Sequence, residues 1–281
     1  MDRLFLVGLS LSLVTTLLVG GLLWFHLSRF VGYHRHKGVE VPRLSIHLAL
    51  DELVAIARVA WWHVRALLSD GLRTPPDSQG RPVVCVHGYS QNATNLWAIR
   101  RALETLGRPT LGISLWHRLA PMGWYARRLE ARLEQLAGGL DEGFGEGFDV
   151  VAHSMGGIVL RMVLARRPDL RRSIHAVVTL GTPHQGTAAV RGLAWLPELR
   201  ALSRRSDLLA ELPLLRELLP HARLVTVGST GDTIVYPVGS TLEPYTENVL
   251  LHGIGHAGLL THERALATVC RALSTDPPGR R

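Results

Sequence analysis

The stretch VVAHSMGG at Val150–Gly157 decides the fold of this chain of 281 residues. Its apolar first half predicts a buried strand and its second half opens an apolar helix, which leaves Ser154 at the bend. Small residues at positions 152, 156 and 157 let neighbouring backbone pass close to the bend. Ala152 replaces the first glycine of the common GxSxG pattern and adds only a methyl group. We therefore predict a nucleophile elbow that lifts the Ser154 hydroxyl above the edge of a sheet.

Short apolar strands alternate with helices from Arg81 onward. This alternation predicts an α/β fold with a mostly parallel central sheet and helices on both faces. The strands are predicted at Val83–His87, Thr110–Leu115, Phe148–His153, His175–Leu180, Arg223–Val227 and Asn248–His252. The helices are predicted at Asn95–Leu106, Pro121–Ala137, Gly157–Arg166 and Ala257–Leu273.

A serine hydroxyl needs a histidine to accept its proton and a carboxylate to orient that histidine. Asp232 is the predicted carboxylate, because the loop GSTGD at Gly228–Asp232 follows a strand and reaches the carboxyl edge of the sheet. The structural alternative for Asp232 is an Asx turn or a helix cap. Asp207 is the second candidate, but it falls in a helical pattern before that strand.

His256 is the predicted base. It lies in the loop GIGHAG at Gly253–Gly258, between the last strand and the final helix. His252 still belongs to the strand and His262 to the helix, so both are interpreted as packing or surface histidines. The predicted order along the chain is therefore Ser154, Asp232, His256.

An oxyanion formed at Ser154 needs two fixed N–H donors, one after the nucleophile and one after the first strand. The backbone N–H of Met155 is predicted as the first donor and that of Tyr89 as the second. Gly88 permits the close turn that aims the Tyr89 N–H inward. An ordinary strand-to-loop turn is the alternative interpretation of His87 and Gly88.

The chain resembles the lipase and esterase branch of the α/β-hydrolase superfamily over about residues 80–273. It is similar to small bacterial triacylglycerol lipases and to deacylases of membrane glycolipids. Three stretches carry the resemblance: VVCVHGYSQN at Val83–Asn92, VVAHSMGG at Val150–Gly157 and VVTLGTPHQGT at Val177–Thr187. The order of nucleophile, acid and base is also typical of this superfamily. The resemblance implies ester or lipid substrates, and it implies that His184 belongs to a structural turn and not to the catalytic residues.

The predicted function is a membrane-anchored serine hydrolase that cleaves carboxylic esters, with lipid esters as the expected substrates, through an acyl-enzyme and without cofactor or metal. An acyltransferase that passes the same acyl group to an alcohol or amine is one alternative. A non-catalytic membrane scaffold with a hydrolase fold is another, although such proteins usually lose a catalytic or oxyanion residue and none is missing here.

The leucine-rich stretch between Gly186 and Pro220 lies where hydrolases carry a cap. An acyl-binding lid and an ordinary crossover packed on the sheet are equally good interpretations. Apolar side chains that face the cleft would suit an acyl chain, since each buried methylene contributes about 0.8 kcal/mol.

No charged side chain occurs from Leu4 to Leu27. A bilayer is spanned by a helix of about 20 apolar residues, so this segment predicts an uncleaved membrane anchor; a cleaved signal peptide is the alternative. The cations at positions 29, 35, 37 and 43 favour a cytoplasmic catalytic domain by the positive-inside rule, whereas an export signal retained as an anchor would give the opposite side. The side of the membrane therefore stays open.

The domain prediction is an anchor at 1–28, a juxtamembrane segment at 29–80, a hydrolase domain at 81–275 and a disordered tail at 276–281. Leu44–Leu68 within the second part predicts an apolar helix, either lying on the membrane surface or covering the hydrolase core.

The net charge of +8 is spread over helix faces and does not predict nucleic-acid binding; anionic lipid suits it better. Cys85 and Cys270 lack metal spacing and are interpreted as idle thiols. The oligomeric state is left open.

Overall fold

The computed structural model describes residues 25, 27–38, 46–66, 81–115, 120–138, 147–191, 193 and 195–274. The chain divides into two compact units, Met1–Pro42 and Arg43–Arg281. The predicted anchor lies outside the described residues except at positions 25, 27 and 28. Positions 71–80 of the predicted juxtamembrane segment and the whole predicted tail also lie outside them. In the part that is described, no helix is both long and apolar enough to cross a membrane. Residues 27–36 form a helix in the first unit.

The second unit is built on a parallel sheet. Its strands follow the spatial order β2-β1-β3-β4-β5-β6, and each neighbouring pair is parallel. The strands within the described ranges are β1 (Val83–Val86), β2 (Thr110–Ile113), β3 (Phe148–His153), β4 (Ile174–Leu180), β5 (Arg223–Ser229) and β6 (Glu247–Leu251). The α/β fold predicted from the alternation of strands and helices is confirmed.

Helices connect the strands and precede the sheet. The α-helices of this unit, over the residues described, are α1 (Ile46–Ala66), α2 (Trp97–Glu104), α3 (Met122–Ala137), α4 (Met155–Arg166), α5 (Pro168–Arg171), α6 (Pro197–Ala201), α7 (Asp207–Glu211), α8 (Leu215–Leu218) and α9 (Glu263–Ser274). Short 3-10 turns lie at Ala93–Leu96, Val238–Thr241 and Gly258–Leu260.

Alternate residues of the strands point into two separate cores, as the period of two along a strand requires. Val84 and Val150 pack with α3 and α4 on one face of the sheet. Their neighbours Cys85 and Val151 pack with α2 and α9 on the other. Because both faces of the sheet centre are covered, β1 is apolar throughout, and β1 and β3 are buried at every position.

The helix starts predicted at Ala257 and Pro121 differ from those in the structure. The predicted closing helix from Ala257 is a 3-10 turn followed by α9, because Thr261 has a φ of −132° and interrupts the helix. His262 therefore precedes α9, and its Nδ1 accepts the backbone N–H of Arg264 at 3.2 Å. Pro121 is the N-cap of α3 in an extended conformation and not its first helical residue.

A buried ionic cluster ties α4, the helix after Ser154, to the leucine-rich stretch. The Arg161 side chain is 1% exposed and lies 3.3 Å from Glu243 Oε1. It also donates to the carbonyl oxygens of His184 at 3.0 Å and Leu212 at 2.8 Å. Burial raises the pKa of Glu243, but His184 and Arg161 outweigh burial and hold that pKa below its usual value. The resemblance assigned His184 to a structural turn, and its buried ring contacts Glu243 and the hydroxyl of Thr179 in keeping with that role.

Substitution Arg161→Met is expected to lower the free energy of unfolding by about 3–5 kcal/mol, because it leaves the Glu243 carboxylate buried without its cation. Urea unfolding followed by circular dichroism measures the change. Arg166→Met on the same helix is the control, since Arg166 pairs with Glu130 at the surface and such pairs contribute about 0–1 kcal/mol. Equal losses in the two variants would contradict the prediction.

Candidate active site

Ser154 occupies the bend between β3 and α4 with a φ of 54° and a ψ of −127°. Residues other than glycine rarely adopt a positive φ, and such strain persists only where the surroundings enforce it. Backbone passes close on the inner side, since a Cβ at Gly156 would lie 2.6 Å from the carbonyl oxygen of His87. A Cβ at Gly157 would likewise lie 2.4 Å from Thr182 Oγ1. Side chains at positions 156 and 157 would thus collide with neighbouring residues, and Ser154 occupies a sharp bend between strand and helix.

Three side chains that are distant in sequence meet at the carboxyl edge of the sheet. His256 Nε2 lies 3.0 Å from Ser154 Oγ, and His256 Nδ1 lies 2.7 Å from Asp232 Oδ2. Ser154 follows β3, Asp232 follows β5 and His256 follows β6, so the parallel strands deliver all three to one edge. The hydrogen-bonded chain runs from hydroxyl through imidazole to carboxylate.

The two oxygens of the Asp232 carboxylate have different hydrogen-bond partners. Oδ1 accepts the backbone N–H groups of Ile234 and Val235, each at 2.8 Å, whereas Oδ2 faces His256. The residue is 1% exposed. The sequence offered a turn-forming role and an orienting role as alternatives for this aspartate, and the geometry contains both. The two amides fix the carboxylate plane and keep Oδ2 directed at the imidazole.

The environment of His256 favours its protonated form. Burial by itself lowers the pKa of the imidazole, but the charge of Asp232, the hydrogen bond to it and the charge of Glu52 together raise that pKa above its usual value. A raised pKa strengthens the histidine as a base, because the imidazolium that forms on proton transfer is stabilised.

A second histidine lies directly against the first. The rings of His153 and His256 have centroids 4.7 Å apart, and His153 Nε2 lies 3.3 Å from the carbonyl oxygen of His256. Burial above all, and then the charge of His256, lowers the pKa of His153 well below the usual value. His153 is therefore neutral where His256 titrates and adds no charge beside it. Reasoning from the sequence quoted His153 within the motif but gave it no role.

The loop after β1 runs beside the serine. A Cβ at Gly88 would lie 2.9 Å from Ser154 Cβ, and the Gly88 N–H donates to Gln91 Oε1 at 2.9 Å. Tyr89 follows directly, and its hydroxyl donates to Glu198 Oε1 at 3.3 Å. Met155 is the first residue of α4, where a backbone N–H has no acceptor within the helix. Both predicted donor residues thus lie next to the serine.

The alternative site residues lie elsewhere. Asp207 is exposed at the start of α7, and His252 is exposed after β6, with its Nδ1 3.4 Å from Thr230 Oγ1. His262 caps α9 as described above. Throughout the described ranges, no group of three or more His, Cys, Asp or Glu side chains is arranged to hold a metal ion.

Sequence reasoning missed Glu52, which lies on α1 and contacts the loop of His256. Its two carboxylate oxygens accept the backbone N–H groups of Ala257 and Gly258. No local motif marks this residue, because its partners lie more than 200 positions away in the chain. The sequence signal that could have drawn attention to it is the acidic pair Asp51 and Glu52 in an otherwise largely apolar helical pattern.

The leucine-rich stretch is largely packed on the sheet. Leu202, Leu215 and Leu218 are buried in the core shared with α3 and α4, and Leu209 and Leu212 pack against that core. Trp195 differs in that 74% of its surface is exposed. These contacts are those of a crossover connection, and the acyl-binding lid stays a prediction.

The comparisons with known proteins agree with this architecture. A family model described as palmitoyl protein thioesterase matches residues 82–218, which include Ser154. No curated protein sequence matches the chain. Lipase B of Aspergillus fumigatus is 18% identical with a TM-score of 0.60, and the match covers 71% of this chain and 54% of that one. The present chain thus spans about half the length of that lipase.

Two further solved structures share the fold over most of their own length. The mature lipase BlEst2 of Bacillus licheniformis is 16% identical with a TM-score of 0.58, over 74% of this chain and 96% of that one. The product of the gene lin2722 from Listeria innocua is 15% identical with a TM-score of 0.54, over 71% and 96%. The chain has the α/β-hydrolase fold, which is the fold that the resemblance of its motifs implied.

Substitution Asp232→Asn is expected to lower the pKa of His256, because it removes the charge that stabilises the imidazolium and presents an amide N–H₂ to Nδ1. An NMR titration of the His256 imidazole measures this pKa, and the His256 signal is assigned by its loss in the variant His256→Gln. Asp207→Asn is the matched control and should leave the titration unchanged. If the pKa of His256 fell in the Asp207 variant and not in the Asp232 variant, the assignment of Asp232 would be contradicted.

Proposed function

We propose that this α/β-hydrolase is a serine hydrolase of carboxylic esters, with lipid esters as its substrates. The hydrogen-bonded chain from Ser154 through His256 to Asp232 is the observation on which the proposal rests. The family match and the lipases among the structural neighbours support the same reaction class. An ester carbonyl is one of the acyl groups on which a serine, a base and two N–H donors act together.

In the first half of the proposed reaction, His256 Nε2 accepts the Ser154 proton while Oγ attacks the carbonyl carbon. The carbonyl electron pair moves to oxygen, where the N–H groups of Tyr89 and Met155 stabilise the oxyanion. The oxyanion collapses, the bond to the leaving oxygen breaks, and the imidazolium donates its proton to the departing alcohol. An acyl group is then esterified to Ser154.

In the second half, water replaces the alcohol. His256 accepts a proton from the water molecule, whose oxygen attacks the acyl carbon and forms a second tetrahedral intermediate. Collapse breaks the bond to Ser154 Oγ, the imidazolium returns its proton to Oγ, and a carboxylic acid leaves. Asp232 keeps its charge throughout and holds Nδ1–H of the imidazole.

Fatty acyl thioesters are a second candidate class, favoured by the matched family of palmitoyl protein thioesterases. A thioester passes through the same acyl-enzyme, and only the leaving atom changes from oxygen to sulfur. The match ends at residue 218, before the loops of Asp232 and His256, so it bears on the nucleophile half of the site.

We also propose that the catalytic unit acts at a membrane. The uncharged segment Leu4–Leu27 is long enough to span a bilayer as a helix. α1 adds an exposed apolar stripe at Ile46, Leu50, Val54 and Trp61, which are 73%, 51%, 50% and 62% exposed. Their spacing of four, four and seven residues puts them on one side of the helix. Such a stripe suits the interfacial region of a lipid layer.

Substitution Ser154→Ala is expected to reduce hydrolysis of a p-nitrophenyl acyl ester and of the matching acyl thioester by at least about a thousandfold, because the acyl-enzyme can no longer form. A fluorophosphonate probe should label the wild-type serine and leave the variant unlabelled. Ser206→Ala, in the leucine-rich stretch, is the control and should retain full activity. Hydrolysis that survives in a folded Ser154→Ala variant would refute the proposal.

The full-length protein is expected to stay in the membrane fraction after an alkaline carbonate wash, with the mass of the uncleaved chain. The double substitution Leu13→Arg and Leu17→Arg should release it, because each charge at the centre of a span costs about 2.5–3.5 kcal/mol. Release of the wild-type protein by the wash, or loss of its first residues, would count against the anchor.

A further inference from the structure

Glu52 reaches from α1 to the loop of the proposed base. Its Oε1 accepts the N–H of Ala257 at 2.8 Å and its Oε2 accepts the N–H of Gly258 at 2.9 Å. These are the two amides that directly follow His256 in the chain. A carboxylate that accepts two adjacent amides fixes the position and the orientation of the peptide between them.

The loop is shaped to receive this carboxylate. A Cβ at Gly255 would lie 2.1 Å from Glu52 Oε2, so any side chain at that position would displace the glutamate. Burial raises the pKa of Glu52, and the hydrogen bonds from Ala257 and Gly258 offset part of the rise. Burying a carboxylate is costly unless it is hydrogen-bonded, and the two amide bonds offset part of this cost for Glu52.

α1 itself is fixed to the catalytic unit on both sides of Glu52. The carbonyl oxygen of Val59 accepts from Asn95 Nδ2 at 2.9 Å, and that of Trp62 accepts from Thr94 Oγ1 at 3.1 Å. Leu48 packs against the other catalytic loop, since a Cβ at Gly231 would lie 3.0 Å from Leu48 Cδ1. The helix therefore contacts the loop of the acid as well as the loop of the base.

We propose that Glu52 is a positioning residue for His256: its carboxylate fastens the loop after β6 to α1 and so holds the imidazole between Ser154 and Asp232. The inference rests on the proposed function of this site. It extends the catalytic apparatus to a helix that lies outside residues 82–218 matched by the family model. Glu52 does not touch the reacting atoms and acts through the loop and through its charge.

The electrostatics of the site define a second effect of Glu52. The titratable groups that face His256 are Asp232 from the loop after β5, His153 from the end of β3 and Glu52 from α1. His153 is neutral where His256 titrates, so the two carboxylates act on the imidazolium together. Each negative charge raises the pKa of His256, and removal of one must lower it.

The test compares Glu52→Gln with Asp51→Asn in the full-length protein. Both substitutions remove one negative charge from α1, but Asp51 is exposed and its charge is screened by water. Ester hydrolysis is measured from pH 5 to 9, and thermal unfolding of each variant is recorded. In Glu52→Gln, kcat/KM at pH 8 should fall between about tenfold and about a hundredfold, with kcat carrying the loss and KM changing less than about twofold.

The pH profile separates positioning from a merely structural role. His256 acts as a base in its neutral form, so activity rises with pH as the imidazolium loses its proton. In Glu52→Gln the pKa of His256 falls. The acid limb, which is the rising part of the activity curve at low pH, should therefore move to lower pH. Asp51→Asn should keep both the rate and the limb of the wild type. An acid limb that stays in place in Glu52→Gln overturns the proposal, as does an equal effect of both substitutions.

Glu52→Asp covers the case in which the glutamine variant does not fold. Aspartate keeps the charge but is one methylene shorter, so it cannot accept both amides without moving the loop. It should lower kcat while the acid side of the pH–activity profile stays close to its wild-type position, because the charge is kept. Wild-type kcat would overturn the proposal. Labelling of wild-type Ser154 by the fluorophosphonate probe distinguishes the two hypotheses, since an unlabelled wild-type protein refutes the serine mechanism and not the role of Glu52 alone.

Discussion

Ser154 has a φ of 54°, a conformation that residues other than glycine rarely adopt, and the surrounding chain is built to enforce it. Strain of this kind costs about 1–3 kcal/mol and is kept only where packing leaves no alternative. Here β3 is buried at every position and α4 is buried along most of its length, so neither flank of the bend can relax. The turn exposes the hydroxyl at the sheet edge, and the parallel strands then determine which other residues can reach it.

The site shows how one buried carboxylate serves both the backbone and the base. Asp232 satisfies two amides with one oxygen and the imidazole with the other. A turn-forming aspartate and an orienting aspartate are thus compatible, because the two oxygens point in different directions. Glu52 likewise combines two interactions: both of its oxygens accept backbone N–H groups, and its charge acts on His256 from a distance. Backbone hydrogen bonds hold both anions in place beside the base.

α1 has two faces with different partners. Glu52, Leu48 and Val59 are directed toward the catalytic unit, whereas the stripe that begins at Ile46 and ends at Trp61 is exposed. The sequence offered coverage of the hydrolase core and contact with a membrane surface as alternatives for this helix. Coverage is observed, and the exposed face leaves lipid contact available at the same time.

The sequence by itself determined the elements whose signals are local. The apolar run into Ser154, the glycines at 156 and 157, and the polar loops after β5 and β6 identified the elbow, Asp232 and His256, because a strand end fixes which residues reach the sheet edge. The break at Thr261 was missed, since the helical pattern continues through it and only the backbone geometry shows the interruption. Tertiary structure alone decided the contacts of Glu52, His153 and the Arg161–Glu243 pair. Their partners lie far away in the chain, and the energy of a buried charge depends on what folding brings beside it, which no local pattern records.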